Sequence, residues 1–233
     1  MSGTVARPLT AAEMREADRR CIEELGIPGA VLMNAAGQAV FREVSGGPVG
    51  VVCGKGNNGG DGYVVARLAL LAGYDTQVVL AAGRASVTGD AEVFLAAYER
   101  LGGRVLPAET EAAAAKAVES LKDYKVVVDA LLGTGVSGDV RGAARAAIEA
   151  WPSVYTIAVD LPSGLNADTG EICGCAIRAD LTVTFQFPKI GLLADGAQAY
   201  VGRLVLADIG IPEICADAAA WSALLGRTNR TSG

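Results

Sequence analysis

Short apolar runs alternate along the chain with longer stretches in which apolar residues recur every three or four positions. The runs occupy residues 49–53, 77–80, 125–128, 155–159 and 181–185, with a last candidate at 203–207, and the helical stretches occupy 62–72, 90–101, 111–121 and 141–150. Strands that are apolar throughout are typical of a parallel sheet covered by helices on both faces. Because such crossovers are right-handed, the pattern predicts an α/β fold, a Rossmann-like three-layer αβα sandwich with a mostly parallel sheet.

Two helices are predicted before the first strand, as an N-terminal helical arm. Thr10 and Glu13 have the spacing of a capping box, so the first helix should begin there and run to about Leu25, where Gly26 provides a left-handed stop. The second should cover residues 30–44. Its apolar residues are expected to contact the core or another subunit, and these are Val31, Leu32, Ala35, Val40 and Phe41.

The chain is expected to be a single domain over residues 1–233, because no Pro- or Ser-rich linker and no internal repeat divides it. Residues 213–233 form a tail that is either a short terminal helix with frayed residues or the stub of a junction to another domain. The N-terminus lacks the apolar segment of a signal peptide, and no uncharged apolar run reaches the roughly 18 residues of a membrane span. These features predict a cytoplasmic protein with no membrane partner.

Charge and composition exclude several classes of function. The 20 basic and 26 acidic residues give a net charge of −6, which argues against a nucleic-acid partner because phosphate contacts need clustered Lys and Arg. The chain has no histidine, which excludes a Ser-His-Asp triad and any imidazole metal ligand. Acid–base chemistry near neutral pH therefore falls to carboxylate, Lys, Tyr or Cys groups. Of the five cysteines, Cys173 and Cys175 form the one close pair, which favours idle thiols over a zinc site.

Three strands end in polar loops, which should meet at the carboxyl ends of the strands in a doubly wound sheet. The first, residues 54–62, contains five glycines among nine residues and precedes a helix whose N-terminus can hold a phosphate; the alternative is a flexible turn. The second, residues 129–139, begins with Asp129 and contains a Gly-x-Gly turn. The third, residues 160–165, begins with Asp160, which should be partly buried and so need a partner or an ion. The alternative for both acids is a capping or turn role.

Four sequence segments, taken together with their order and spacing along the chain, resemble those of a known protein family. They read GKGNNGGDGYVVAR, VVVDALLGTGVSGDVRG, AVDLPSGLNADTG and TVTFQFPKIGL. Together they resemble the NAD(P)HX epimerase family, with its YjeF-type N-terminal domain, over about residues 10–212. The resemblance implies a Rossmann-like homodimer that repairs hydrated NADH and NADPH by interconverting the R and S forms of NAD(P)HX. A separate NAD(P)HX dehydratase would then restore the cofactor.

The resemblance also implies the site. One potassium ion (K+) per subunit is implied at Asn58, Asp129 and Ser163, an all-oxygen set that suits a hard cation. Because no histidine is present, Asp160 is the candidate catalytic group, which would protonate the leaving hydroxyl, stabilise a cationic intermediate and deprotonate the incoming water. The implied contacts to the hydrated dinucleotide are Asn57, Asn58, Gly59, Gly60, Asp61, Gly133, Thr134, Gly135, Val136, Ser137, Gly138, Asp139 and Asp160.

The chain departs from the family pattern outside the three loops. Residues 33–37 lack the acid that is common in the second helix, and Gln186 and Phe187 replace the usual Gly-Ala pair before Pro188. These departures bear on dimer packing and pocket walls. Lys189 is expected either to reach a phosphate or to lie in solvent. Two other functions stay open, a non-catalytic nucleotide- or partner-binding module of the same fold and an NAD(P)-dependent dehydrogenase, which would need a G-x-G-x-x-G loop after the first strand.

Overall fold

A computed structural model describes residues 7–231, and the side chains as far as residue 224. Seven strands form one sheet in the order β3-β2-β1-β4-β5-β6-β7, and every neighbouring pair is parallel. The strands are β1 (Val49–Cys53), β2 (Thr76–Leu80), β3 (Arg104–Pro107), β4 (Val126–Ala130), β5 (Tyr155–Val159), β6 (Leu181–Phe185) and β7 (Arg203–Ala207). The predicted α/β fold with a parallel sheet is confirmed, because the order reverses direction beside β1 as in doubly wound sheets.

Eight α-helices surround or flank the sheet within the described range. They are α1 (Ala11–Arg19), α2 (Gly29–Phe41), α3 (Asn57–Leu71), α4 (Gly89–Arg100), α5 (Glu111–Glu119), α6 (Gly142–Glu149), α7 (Gln198–Val201) and α8 (Ala218–Thr231). The first helix continues as a π-helical turn over Arg20–Glu24. Between residues 7 and 231, no helix combines the length and apolar character that crossing a bilayer requires.

The core has two layers because side chains alternate across the strands. Val49, Val51 and Cys53 of β1 point towards α2, α3 and α4, and they belong to the larger apolar cluster. Val52 points the other way and packs in a second cluster with residues of α5 and α6. Burial on both faces explains why the central strands are mostly apolar, with Asp129, Thr156 and Thr182 among their few buried polar residues.

The two N-terminal helices pack against the domain. Thr10 and Glu13 form the predicted capping box, and Gly26 has the predicted left-handed conformation with φ of 78°. Cys21 lies in a buried cluster with Ile211 and Trp221, so α1 is held by the C-terminal segment. Of the predicted contacts in α2, Leu32 and Val40 are buried, whereas Val31 is 55% exposed.

Several predicted boundaries were wrong, each for a local reason. The strand β3 was missed because it is a half-exposed edge strand that begins with an arginine and ends with a proline, so it contains no apolar run. The helix α3 begins at Asn57 rather than near residue 62, so most of the predicted glycine loop is helical. The helix α2 ends at Phe41 rather than at residue 44. The tail from residue 213 contains a 3₁₀ turn and α8, and its last two residues lie outside the described range, as do residues 1–6 of the predicted domain.

Candidate active site

A cavity of about 1070 Å³ opens at the carboxyl ends of β1, β4, β5 and β6. The strand-end loops and the first turn of α3 form its floor, and α1 contributes a wall through Met14, Arg15, Asp18 and Ile22. Its volume is at the upper end of the range for small-molecule sites. All of the predicted dinucleotide contacts line this cavity except Gly60, which is buried beside it. The three loops are therefore neighbours, as the topology predicted.

The N-terminus of α3 faces the cavity with its backbone N–H groups uncapped. Gly56 is the capping residue, and no side chain from the described part of the chain accepts a hydrogen bond from this end of the helix. Asn57, Asn58 and Gly59 line the cavity in the first turn. The aligned peptide dipoles and free N–H groups of a helix N-terminus form a favourable site for an anion such as a phosphate.

The glycines of α3 serve close packing rather than a flexible loop. A Cβ atom on Gly59 would lie 2.0 Å from the carbonyl oxygen of Gly54. One on Gly62 would lie 2.5 Å from the Cβ atom of Ala130. The buried hydroxyl of Tyr63 also donates to the Gly54 oxygen at 2.9 Å. The start of α3 thus packs against the ends of β1 and β4. The alternative prediction of a flexible turn at residues 54–62 was therefore wrong.

The three residues predicted to bind potassium meet in one network beneath the cavity. The hydroxyl and backbone N–H of Ser163 both donate to the carboxylate of Asp129, the second at 2.7 Å. The Ser163 hydroxyl accepts from the N–H of Leu132 at 2.9 Å, and the Asn58 amide donates to the Leu132 carbonyl at 3.0 Å. Asp129 and Ser163 have no exposed surface, so the network is shielded from bulk water.

The chemistry of this network suits a monovalent cation. Burial raises the pKa of Asp129 to about 6, and no basic side chain pairs with it among residues 7–224. A buried carboxylate without a cationic partner is costly, and a bound cation would offset that cost. The surrounding hydroxyl, amide and carbonyl oxygens are hard ligands. Residues 7–231 contain no cluster of three His, Cys, Asp or Glu side chains that could hold a metal ion.

Asp160 lies at the end of β5 in a strained backbone conformation with φ of 67°. Its carboxylate accepts from the Lys189 ammonium and from the Thr184 hydroxyl, the latter at 3.1 Å. Lys189 is only 1% exposed, and it also donates to the Phe185 carbonyl at 3.3 Å. The predicted need of Asp160 for a partner is confirmed. The prediction that Lys189 is solvated or reaches a phosphate was wrong, because the chain after β6 turns its ammonium inward.

Two carboxyl groups of the cavity have perturbed pKa values. Burial, together with the negative charge of Asp160, raises the pKa of Asp61 well above its ordinary value. Burial raises the pKa of Asp18 to about 6, an effect that Lys189 opposes and Asp160 reinforces. Sequence reasoning included Asp61 but missed Asp18, because an acid on a predicted amphipathic helix is expected to face solvent. Only the position of α1 on the cavity identifies it.

Gln186 is a further residue whose role the sequence did not reveal. It adopts a positive φ of 55°, and with Asp160 it is one of the two such non-glycine residues in the described range. Its side-chain oxygen accepts from the backbone N–H groups of Ile209, Gly210 and Ile211 at 3.0, 3.2 and 3.2 Å. Because Ile209 lines the cavity, this amide cap holds part of the wall in place.

The cysteines take no part in the site. Cys21, Cys53, Cys173 and Cys215 are buried free thiols, and Cys175 is partly buried. Burial raises the pKa of each, which disfavours the reactive thiolate. The cysteines are therefore buried or partly buried and form no disulfide among the described residues, as expected of idle thiols.

Comparison with known proteins agrees with this architecture. A bifunctional NAD(P)H-hydrate repair enzyme, Nnr, of Moorella thermoacetica is 42% identical over 215 residues, which are 88% of this chain and 41% of the relative. An NAD(P)H-hydrate epimerase of Limosilactobacillus fermentum is 36% identical over 209 residues, which are 86% of this chain and 95% of the relative. The chain thus spans about two fifths of the length of the bifunctional relatives it matches.

A solved structure and a family model extend the comparison. The crystal structure of yeast ynu0 superposes with a TM-score of 0.68 at 24% identity, over 81% of this chain and 83% of that chain, and so shares the fold. The family model described as the N-terminus of YjeF-related proteins matches residues 29–191, a span that includes the three strand-end loops and Lys189. The chain therefore belongs to the family of YjeF-related protein N-termini.

Proposed function

We propose that the protein is an isomerase that interconverts the R and S forms of hydrated NADH and NADPH, and so takes part in repair of nicotinamide cofactors. Relatives named NAD(P)H-hydrate epimerase, from Limosilactobacillus fermentum and Rhodopirellula baltica, are matched over 95% and 85% of their lengths. Their near full-length similarity to this chain supports an epimerase activity in the matched region.

One geometric observation carries the proposal. A single cavity holds both an uncapped helix N-terminus, at Asn57, and a carboxylate fixed by a buried lysine, at Asp160. The first suits the diphosphate of a dinucleotide. The second suits the hydrated ring, where a positive charge develops. A binding module would not need a carboxylate that is held against a buried ammonium ion on the cavity floor.

The chemistry follows from the substrate. The hydrated carbon bears a hydroxyl group next to a ring nitrogen, so protonation of that oxygen allows water to leave while the nitrogen lone pair forms a C=N⁺ bond. Water then adds to the opposite face, and a carboxylate takes its proton, with no net oxidation or reduction. Asp160 lines the cavity as a proton-transfer group, and its negative charge stabilises the iminium ion.

We also propose a potassium ion at Asn58, Asp129 and Ser163. The buried carboxylate of Asp129 has no basic partner within the described side chains, and the hydroxyl, amide and carbonyl oxygens around it fit such an ion. When bound, the cation would offset the charge of Asp129 and strengthen the attraction of the α3 N-terminus for phosphate.

The biological setting is part of the same proposal. We expect a homodimer in the cytoplasm whose activity is coupled to that of an NAD(P)HX dehydratase. Bifunctional relatives named NAD(P)H-hydrate repair enzyme support the functional coupling to a second activity.

A coupled assay tests the activity. A mixture of R and S hydrates is treated with an excess of S-specific dehydratase, and recovery of NADH is followed with and without this protein. We expect the slow phase, which reflects spontaneous conversion of the R form, to accelerate at least 100-fold. No change in that phase would overturn the proposal.

Matched variants identify the catalytic carboxylate in the same assay. We expect Asp160→Asn to lower the epimerisation rate about 100-fold or more, in the range of general acid–base catalysis. Asp123 is exposed at the opposite, amino-terminal end of the sheet, before β4, so Asp123→Asn is the control that should retain the full rate.

A further inference from the structure

The proposed reaction needs a proton-transfer group on each face of the substrate ring. Epimerisation removes water from one face of a carbon and returns it to the other, so the leaving oxygen and the arriving oxygen are on opposite sides. Asp160 cannot readily serve both. Its carboxylate is held by Lys189 and Thr184, and its backbone has a strained φ of 67° at the end of β5. A second carboxyl group that lines the cavity from another element would serve the other face.

The helix α1 brings a second carboxyl group to the cavity. Met14, Asp18 and Ile22 recur at four-residue spacing and all line the cavity, so one face of this helix and its π-helical extension covers the site. Asp160 belongs to the floor at the end of β5. The two carboxyl groups therefore reach the same cavity from different elements, Asp160 from the end of β5 and Asp18 from α1.

The surroundings of Asp18 suit proton transfer. Its side chain is partly buried, and it forms no hydrogen bond or ion pair with any other described side chain, so its carboxyl group is free to act on a ligand. Burial raises its pKa to about 6. A group with a pKa near the working pH can both donate and accept a proton, which general acid–base catalysis favours.

The other ionisable groups of the cavity are less suited. Lys55, Arg15 and Arg141 are exposed cations that line the cavity and suit phosphates. Asp139 also lines it as an exposed acid, whereas Asp61 and Asp90 are partly buried. Asp61 lines the cavity from α3, and burial together with the negative charges of Asp160 and Asp18 raises its pKa, so it lies near both acids. It is therefore the comparison residue for any test.

We propose that Asp18 is the second catalytic residue of the epimerisation, and that it transfers the proton on the ring face opposite Asp160. This inference rests on the proposed function. In one direction Asp18 protonates the leaving hydroxyl and Asp160 accepts a proton from the incoming water; in the reverse direction the roles exchange. Each turnover moves one proton from one carboxyl to the other, and exchange with solvent restores the starting state.

Oxygen isotope exchange tests the assignment through stereochemistry. Each pure epimer is incubated in H₂¹⁸O with the protein, and mass spectrometry after chiral separation follows label entry and inversion. A proton-transfer group on one face allows water to leave and return on that face, so label enters without inversion. We expect Asp18→Asn to lower inversion about 100-fold or more. Asp18→Asn should still allow oxygen exchange without inversion in one of the two epimers. Asp160→Asn should allow that exchange only in the other epimer.

The outcomes separate this inference from the proposed function. If the unaltered protein inverts neither epimer, the proposed function fails. The role of Asp18 is wrong if the unaltered protein inverts both epimers and Asp18→Asn does so at the full rate. It is also wrong if Asp18→Asn slows exchange of both epimers equally without a loss of stability. The role is also wrong if Asp61→Asn rather than Asp18→Asn produces the one-epimer pattern. Asp18→Glu, which keeps the carboxyl group, should restore part of the inversion rate.

Discussion

Lys189 and Asp160 form the most buried ion pair between residues 7 and 224, with side chains that are 1% and 14% exposed. The pair joins the ends of β5 and β6 below the cavity. Lys189 is also fixed by Thr184 and by the Phe185 carbonyl, so its three donors have partners. This satisfied geometry allows a charge to remain in the interior, and it orients the Asp160 carboxylate for the proposed reaction.

Removing the lysine should therefore be costly for the fold. We expect Lys189→Met to lower the free energy of unfolding by about 3 kcal/mol, because it leaves the Asp160 charge buried without a partner. The exposed pair of Arg203 and Glu43 is the control, and Arg203→Met should cost less than about 1 kcal/mol. Chemical denaturation measures both, and equal losses would contradict the importance of burial.

Potassium should stabilise the folded protein. At about 100 times its dissociation constant, a specific ligand adds about 2.7 kcal/mol. We expect a higher melting temperature in KCl than in tetramethylammonium chloride at equal ionic strength, and a much smaller difference for Ser163→Ala. The exposed Ser153 provides the control, because Ser153→Ala should keep the full effect. An equal response to the two salts would rule out the cation site.

Glycines within α3 should tolerate no side chain. A Cβ atom on Gly62 would lie 2.5 Å from the Ala130 Cβ and 2.8 Å from the Cys53 sulfur. We expect Gly62→Ala to lower the free energy of unfolding by about 2 kcal/mol through overpacking. Gly56 has nothing within 4 Å of the corresponding position and a φ of −90°, so Gly56→Ala should cost only its weaker helix capping, about 0.5 to 1 kcal/mol. Comparable losses would mean that packing does not require these glycines.

The amide cap made by Gln186 predicts an unusual order of stability. Gln186→Ala and Gln186→Gly both lose the three hydrogen bonds to residues 209–211, but only glycine adopts a φ of 55° without strain. We expect the alanine variant to be less stable than the glycine variant by about 1 kcal/mol. An alanine variant at least as stable as the glycine variant would show that the left-handed conformation is not retained.

Asp18 should make stability depend on pH. Its pKa is raised from 3.8 to about 6 by burial, so between these values the folded state binds more protons than the unfolded state. Stability from this group is present below pH 4 and is lost as the pH rises through 6, by at most about 3 kcal/mol.

The variant Asp18→Asn removes this titration. We expect it to be more stable than the unaltered protein at pH 7 and equally stable at pH 4, while its epimerisation is impaired. Denaturant titrations at the two pH values measure the difference. A constant difference at both values would show that the carboxyl group does not titrate as its burial implies.

Local patterns were enough to predict the scaffold. Runs rich in apolar and β-branched residues, such as Tyr155–Val159 and Leu181–Phe185, gave strand boundaries that match the structure, because a strand buried on both faces has few charged positions. The capping box at Thr10 was predictable for a similar reason, since both partners lie within one helical turn. The edge strand β3 was not predictable, because a strand that is exposed at the edge of the sheet lacks that apolar pattern.

The sequence by itself determined that α/β scaffold, the meeting of its three polar loops at one end of the sheet, and the reliance on carboxylates that follows from the absence of histidine. Only the tertiary structure decided that Lys189 turns inward to Asp160, that α1 places Asp18 on the cavity, and that the glycines of α3 serve packing. The physical reason is the separation along the sequence of the residues that interact. Periodicity and capping depend on neighbours along the chain, whereas burial, charge pairing and steric fit depend on elements that approach from far away in the sequence.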